Sequence, residues 1–306
     1  MSRPPARVAV VGPTASGKSS VAMAAAAELG DVELISVDSM QVYRGMDIGT
    51  AKPSAAERAR VPHHLVDLVD PAHDFTVAEF QRAYRDVVAD LARRHRRAIL
   101  VGGTGLYHRA AIDDFEMPGE WPAIRARLEA EAAEGGPEAL HARLADTDPD
   151  AAAKMEPTNV RRIVRALEVC EGSGRRFSSY GPGLDAYPGT DVVQVGLRWD
   201  RAVLATRIER RVALMMEAGL LDEVRGLLAA GWSRTASQAL GYKELAAHLD
   251  GTCTLDAAVE RIIVRTRQFS VRQLRWFGRD PRIRWVDVED EPVAEALPAV
   301  LAAFDS

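Results

Sequence analysis

The chain has 306 residues, 47% hydrophobic and 27% charged, with a formal net charge of −5 at pH 7. That length allows one large domain or two with ample core, in the proportions of a soluble globular protein. No apolar run approaches membrane-spanning length, residues 1–7 carry Arg3 and Arg7 without a signal-peptide core, and Cys170 and Cys253 stand alone. These features exclude a membrane span, a disulfide framework and a cysteine zinc site, so a cytoplasmic protein is expected.

The chain opens on an apolar strand-like run, Val8–Val11, followed at 12–19 by G-P-T-A-S-G-K-S. This is a complete phosphate-binding loop of Gly12, Pro13, Thr14, Ala15, Ser16 and Gly17: the two glycines let the backbone turn its N–H groups inward, Lys18 adds a point charge, and Ser19 offers a hydroxyl for Mg²⁺. Ser20–Leu29 is Ala-rich and helix-forming, so bound phosphates would also meet a helix N-terminus. A second strand, Val32–Asp38, delivers Asp38 beside the loop, where α/β sites gather. Two roles are open for it, contact with metal or substrate and a turn aspartate. Ser39, Met40, Gln41, Val42 and Tyr43 then form a polar and aromatic run suited to a substrate-facing loop. Lys52 is one of only four lysines and reads as a solvated loop residue, with a phosphate role as the alternative. His63 and His64 lack partners at ligand spacing and read as loop residues.

Thr76 is a plausible N-cap for a helix through Phe80, Tyr84, Val87 and Leu91. Ala98–Gly103 is a third buried strand that ends in Gly102-Gly103-Thr104-Gly105, with no carboxylate to activate water, which weakens a motor or hydrolase reading. Thr104 offers a hydroxyl to a phosphate or a base, or caps the next helix. The alternation predicts a P-loop NTPase-like parallel α/β core over 1–115. Residues 122–180 show only helical patterns, broken at Gly135-Gly136-Pro137 and Asp148-Pro149, so an inserted helical subdomain is expected over 116–194. A Gly/Pro/Ser/Tyr-rich loop closes it, Gly172 to Gly189. The core resumes over 195–306, after strand character returns at Val192–Trp199.

A long helix is expected from about Arg201 to Ala230. On it Arg207 is either a surface ion-pair partner or a clamp for an anionic leaving group. Residues 261–284 hold eight arginines against one acid, Asp280, interleaved with Gln268, Phe269, Gln273, Trp276 and Phe277. Such a stretch in an acidic protein predicts an RNA-facing surface, including Arg272 and Arg275. A last strand, Arg284–Val288, and a helix close the chain.

Taken together, these segments resemble the tRNA dimethylallyltransferase family. The matches are G-P-T-A-S-G-K-S (12–19), I-S-V-D-S-M-Q-V-Y-R-G-M-D-I-G-T-A-K-P (35–53), V-G-G-T-G-L-Y (101–107), R-A-L-E-V (165–169), Q-A-L-G-Y-K-E-L (238–245) and R-T-R-Q-F (265–269), in the family's order. The family usually shows Lys where Val271 stands and Asn-Asp where Thr158-Asn159 stands. The resemblance implies transfer of a dimethylallyl group from its diphosphate to N6 of the adenosine immediately 3′ of the anticodon, position 37, in tRNAs reading codons that begin with U. It implies that Asp38 is the base, that Thr104 and Arg207 assist catalysis, and that the loop holds the donor with Mg²⁺ at Ser19. Contacts to the tRNA anticodon stem-loop are implied for Asp38, Ser39, Met40, Gln41, Thr104, Arg125, Arg161, Arg162, Arg165, Gln238, Gly241, Tyr242 and Lys243. A monomer is expected. The alternatives are a small-molecule P-loop kinase, an isopentenyltransferase acting on free adenine nucleotides, and a non-catalytic RNA-binding protein.

Overall fold

In the computed structural model, which describes residues 6–113, 115–181 and 183–305, the first apolar run forms β1 (Arg7–Val11) and the loop after it leads into α1 (Lys18–Leu29). There follow β2 (Val32–Ser36), α2 (Ala55–Arg60), β3 (His63–His64), α3 (Val77–Arg93), β4 (Arg97–Gly102) and α4 (Gly105–Ile112). Thr76 caps α3 as its sequence predicts. Its hydroxyl accepts from the Glu79 N–H at 3.2 Å, and the Glu79 carboxylate accepts from the Thr76 N–H at 2.8 Å. The elements α2 and β3 are too short for periodicity to reveal. The first is set by a Ser54–Glu57 capping box. The second is a two-residue strand in which His64 Nε2 lies 2.7 Å from the Glu33 carboxylate.

The described residues divide into two compact units, one spanning Met1–Asp113 with Gly189–Ser306 and the other Asp114–Pro188. The smaller unit contains α5 (Pro122–Gly135), α6 (Pro137–Thr147), α7 (Pro149–Ala152) and α8 (Val160–Ser173). Proline opens α5, α6 and α7, where its missing N–H costs nothing. Leu128, Leu144, Ile163 and Leu167 form its core. The buried Asp148 carboxylate holds the Ser178 N–H at 2.8 Å and the Ser178 hydroxyl at 2.7 Å.

The larger unit resumes with β5 (Val192–Trp199), α9 (Arg201–Glu217), α10 (Leu220–Ala230), α11 (Tyr242–Leu249), α12 (Leu255–Phe277), β6 (Ile283–Val288) and α13 (Pro292–Ala302). The single helix expected from Arg201 to Ala230 is two helices. Gly219, at φ 98°, ends the first with a left-handed turn that a residue with a Cβ rarely adopts.

All six strands are parallel, in the order β3-β2-β4-β1-β5-β6. The strands β1 and β2 are almost wholly buried, as expected of continuous apolar runs in a covered parallel sheet. Register pairs Val11 with Gly102 and Ser36 with Val101. The segments after β1, β2 and β4 therefore leave the sheet at one carboxyl edge, where open α/β sheets place their ligands. The central strand followed by a phosphate loop makes this a P-loop NTPase-like core.

Candidate active site

The phosphate loop folds as its sequence requires. Gly12 and Gly17 take φ values of 144° and 89°, and Ala15 is also left-handed at 63°. Lys18 Nζ donates to the Pro13 carbonyl at 2.5 Å, which folds the side chain over the loop. Burial pushes its ammonium down to about 7, with Arg211 acting in the same direction and Asp38 opposing. Ser19, one residue on, is exposed.

Two side chains from the far half of the chain brace the loop from outside. The Trp199 indole N–H donates to the Ser16 carbonyl at 3.0 Å. Arg207 Nε donates to the Ala15 carbonyl at 3.0 Å, and its guanidinium carbon lies 4.2 Å from the Trp199 ring centre. Arg207 is thus at the loop and is not a surface ion-pair partner. One helical turn later, Arg211 is half-buried and makes no ion pair among the described residues. Burial lowers its pKa, and the field of Asp38 opposes that shift. The sequence reading overlooked Arg211, although the i, i+4 spacing of Arg207 and Arg211 would have placed both on one helix face.

Asp38 lies just beyond the end of β2 and is half-buried. Its Oδ1 accepts from the Met40 N–H at 2.8 Å, a local turn bond that fixes the carboxylate. No hydrogen bond to Oδ2 is formed within the described residues. Thr104 occupies the N-cap position of α4 without a side-chain capping bond. Its Oγ1 instead accepts from the Ser39 N–H at 3.2 Å and lies 3.4 Å from the Ser39 hydroxyl. Asp38, Ser39 and Thr104 therefore converge although β2 and β4 are far apart in sequence.

The segment carrying Asp38 is held by groups that composition could not single out. Gln41 uses its amide internally, accepting from the Ser36 hydroxyl at 2.8 Å and donating to the Thr50 carbonyl at 3.2 Å. Glu223 accepts from the Asp47, Ile48 and Gly49 N–H groups at 3.1, 2.8 and 3.3 Å, and from the Tyr242 hydroxyl at 2.6 Å. Lys52 is not solvated. Its side chain is 1% exposed, and Nζ donates to the Tyr43 carbonyl, Asp47 and Asp67 at 2.6, 2.5 and 2.7 Å. It is an internal clamp on the 38–53 segment.

A small, partly open hollow lies beside Thr14. Ile208, Val212, Met215, Leu220 and Ile262 give it apolar walls, and Arg211 adds the charge. Among the described residues, no group of three or more His, Cys, Asp or Glu side chains could hold a metal ion. No helix among them is long and apolar enough to cross a membrane.

The other positions singled out in the sequence are spread over the two units. On α12 the residues at 261, 265, 268, 272 and 275 follow one helical face, and all five are exposed. Arg265 pairs with Glu244, Arg267 with Glu209, and Arg282 with Asp113 and Asp280. Arg261, Arg272 and Arg275 make no ion pair among the described residues. Gln238 and Lys243 form an exposed hydrogen-bonded pair at 2.9 Å, whereas Gly241 and Tyr242 are buried. In the smaller unit Arg161 and Arg162 are exposed. Arg125 and Arg165 are engaged with the buried Glu168 carboxylate at 2.9 and 3.1 Å.

A family model described as IPP transferase matches residues 41–280. A tRNA dimethylallyltransferase of Streptomyces coelicolor is 52% identical over 289 residues, covering 93% of this chain and 92% of its own. Another, from Pseudarthrobacter chlorophenolicus, is 50% identical over 292 residues and covers 95% and 96%. Among solved structures, the tRNA isopentenylpyrophosphate transferase of Bacillus halodurans superposes with a TM-score of 0.70 at 40% identity, covering 98% of this chain and 97% of its own. A eukaryotic dimethylallyltransferase acting on tRNA gives a TM-score of 0.77 at 26% identity, over 93% of this chain and 74% of its own. This chain belongs to the IPP transferase family.

Proposed function

We propose that this protein transfers the dimethylallyl group of dimethylallyl diphosphate to N6 of adenosine 37 in tRNAs that read codons beginning with U. The products are N6-(dimethylallyl)adenosine and diphosphate. The observation that carries this reading is the small apolar hollow at Thr14, on the phosphate loop and beside Arg211. A short hydrocarbon attached to a diphosphate needs both surfaces side by side.

The allylic C–O bond breaks as diphosphate departs, and the N6–C bond forms at the same carbon. The departing charge is met by the backbone N–H groups of residues 15–17, by Lys18, and by Arg207 and Arg211 on one face of α9. The adenine amine is a weak nucleophile because its lone pair is delocalised into the ring. The Asp38 carboxylate, anchored through Oδ1, has Oδ2 available to orient the amine and take its proton. Thr104 and Ser39 line the same strand end and position the base. Ser19 offers a hard oxygen ligand, which fits Mg²⁺, an ion that draws most of its other ligands from substrate phosphates and water. Bound there, Mg²⁺ would neutralise charge on the leaving group. The apolar side chains of Ile208, Val212 and Met215 lie on the donor side of the loop, where the hydrocarbon would pack.

The acceptor must leave the stacked anticodon loop to reach Asp38. The arginine face of α12, with Arg272 and Arg275, supplies phosphate contacts in the larger unit, and Arg161 and Arg162 supply them in the smaller. Gln238 and Lys243 add exposed polar groups in the larger unit. Tyr242 acts behind them through the Glu223 anchor, Gly241 through its N–H to Glu244, and Arg125 and Arg165 through Glu168. A tRNA substrate fits a cytoplasmic protein.

The deciding experiment incubates the protein with unmodified tRNA and either dimethylallyl diphosphate or ATP, then maps the product by nuclease digestion and mass spectrometry. A mass gain of one dimethylallyl group at position 37 is expected. Phosphoryl transfer from ATP with no prenyl transfer would overturn the reading in favour of a kinase. Equal turnover of free AMP would redirect it to a nucleotide isopentenyltransferase.

A further inference from the structure

We infer that Gln273 is a positioning residue that sets the phosphate loop against the strand end bearing Thr104 and Asp38, an inference that rests on the reaction proposed above. Gln273 lies in the arginine-rich run, yet it points inward and is buried, whereas its neighbour Arg272 is exposed. Its Oε1 accepts from the Thr14 N–H at 2.8 Å, and its Nε2 donates to the Gly103 carbonyl at 2.8 Å. Both partners are backbone groups of fixed polarity. Only a terminal amide presents an acceptor and a donor side by side in this way.

The two loops it joins carry the two halves of the reaction. Thr14 belongs to the donor loop and borders the apolar hollow. Gly103 precedes Thr104, whose hydroxyl meets Ser39 beside Asp38. The β1–β4 ladder ends at Val11 and Gly102, so the register of these strands does not reach Thr14. The Gln273 amide spans that gap.

The strand end is shaped to receive it. A Cβ at Gly103 would sit 2.2 Å from Gln273 Nε2, and one at Gly105 would sit 2.1 Å from Trp276 Nε1. Residues 273 and 276 are three apart on one face of α12. The V-G-G-T-G run therefore leaves room for a helix face as much as for a phosphate. Transfer requires the reacting carbon and nitrogen to approach within about 3–3.5 Å, and an error of about 1 Å can cost a hundredfold in rate. A residue that fixes this separation acts on the rate without touching either substrate.

The test compares Gln273→Met, Gln273→Glu and Phe277→Leu. Methionine keeps the length and removes both bonds. Glutamate keeps the acceptor for Thr14 but sets a carboxylate oxygen against the Gly103 carbonyl. Phe277 is buried on the same helix, against the His108 ring, and its variant controls for lost packing. Single-turnover transfer at saturating donor and tRNA should fall about 10- to 100-fold in both Gln273 variants, with donor and tRNA dissociation constants within about threefold of the parent. Amide hydrogen exchange over residues 12–17 and 101–105 should quicken in Gln273→Met and not in Phe277→Leu. Equal rates in Gln273→Met and Phe277→Leu would overturn the inference, as would a loss that vanishes with more donor or exchange unchanged in both segments. Should the parent protein transfer no dimethylallyl group to tRNA, the proposed function fails, and the exchange comparison alone decides whether Gln273 ties the two loops.

Discussion

Replacing Asp38 by Asn tests the centre of the proposed chemistry with little disturbance elsewhere. The present carboxylate makes its bond to the Met40 N–H through Oδ1 at 2.8 Å, and an asparagine carbonyl oxygen can keep that bond. The change falls on Oδ2, where an amide NH₂ would face the acceptor amine. Two donors then oppose each other, and the proton released as N6 is alkylated has no acceptor. Loss of a positioned general base costs about 10²–10⁴ in rate, equivalent to about 2.7–5.5 kcal/mol of barrier. Folding stability should change by less than about 1 kcal/mol, since the turn bond survives. Affinity for tRNA should also hold, because phosphate contacts elsewhere dominate it. The assay is single-turnover transfer at saturating substrates, repeated across a Mg²⁺ titration and paired with thermal melts. A loss rescued by Mg²⁺ would make Asp38 a metal organiser. A chemical step within a fewfold of the parent would remove it from the mechanism and refute the reasoning.

Three further outcomes follow from the same geometry. Lys18, lowered to about 7 by burial, is mostly neutral above that pH in the free protein, and a bound diphosphate raises its pKa. Binding then takes up a proton, so inorganic diphosphate should bind more weakly as pH rises from 7 to 9, by up to about tenfold per unit. The ligand's last ionisation also falls toward the top of that range, so the Lys18 contribution is the part of the slope that Lys18→Ala removes in calorimetric titrations. Charge reversal at Arg272 and Arg275 together should raise the apparent KM for tRNA and make its salt dependence shallower by about one unit for each phosphate no longer neutralised, with donor KM unchanged; an unaltered salt slope would reduce that helix face to a solvated one. Lys52→Met removes the cation that the Tyr43 carbonyl and Asp67 share, with Arg58 remaining on Asp67, and should cost about 1–2 kcal/mol, read as a fall in Tm of a few degrees.

Local chemistry made part of this protein legible in one dimension. The phosphate loop is contiguous because the N–H groups that cradle phosphate must come from successive residues, so 12–19 could be read directly. The buried strands of a parallel sheet show as apolar runs, and Thr76 and Glu79 announce a helix start within four residues. The helical insertion showed itself by the loss of strand patterns after Ile112. What joins distant segments was not legible. Lys52 reads like any loop lysine until folding encloses it between Asp47 and Asp67. Glu223, on a helix far along the chain, has no local sign that it anchors the backbone of 47–49. Arg211 looked like one of several arginines in a charged helix until α9 was laid against the phosphate loop. Gln273 stood among RNA-facing candidates, and only the packing of α12 turned it inward to Thr14 and Gly103. The division has a physical cause. Hydrophobic periodicity, caps and phosphate loops are short-range and repeat along the chain. The partner of a buried charge or amide is chosen by which segments the sheet order and helix packing bring together, and that pairing leaves no local trace.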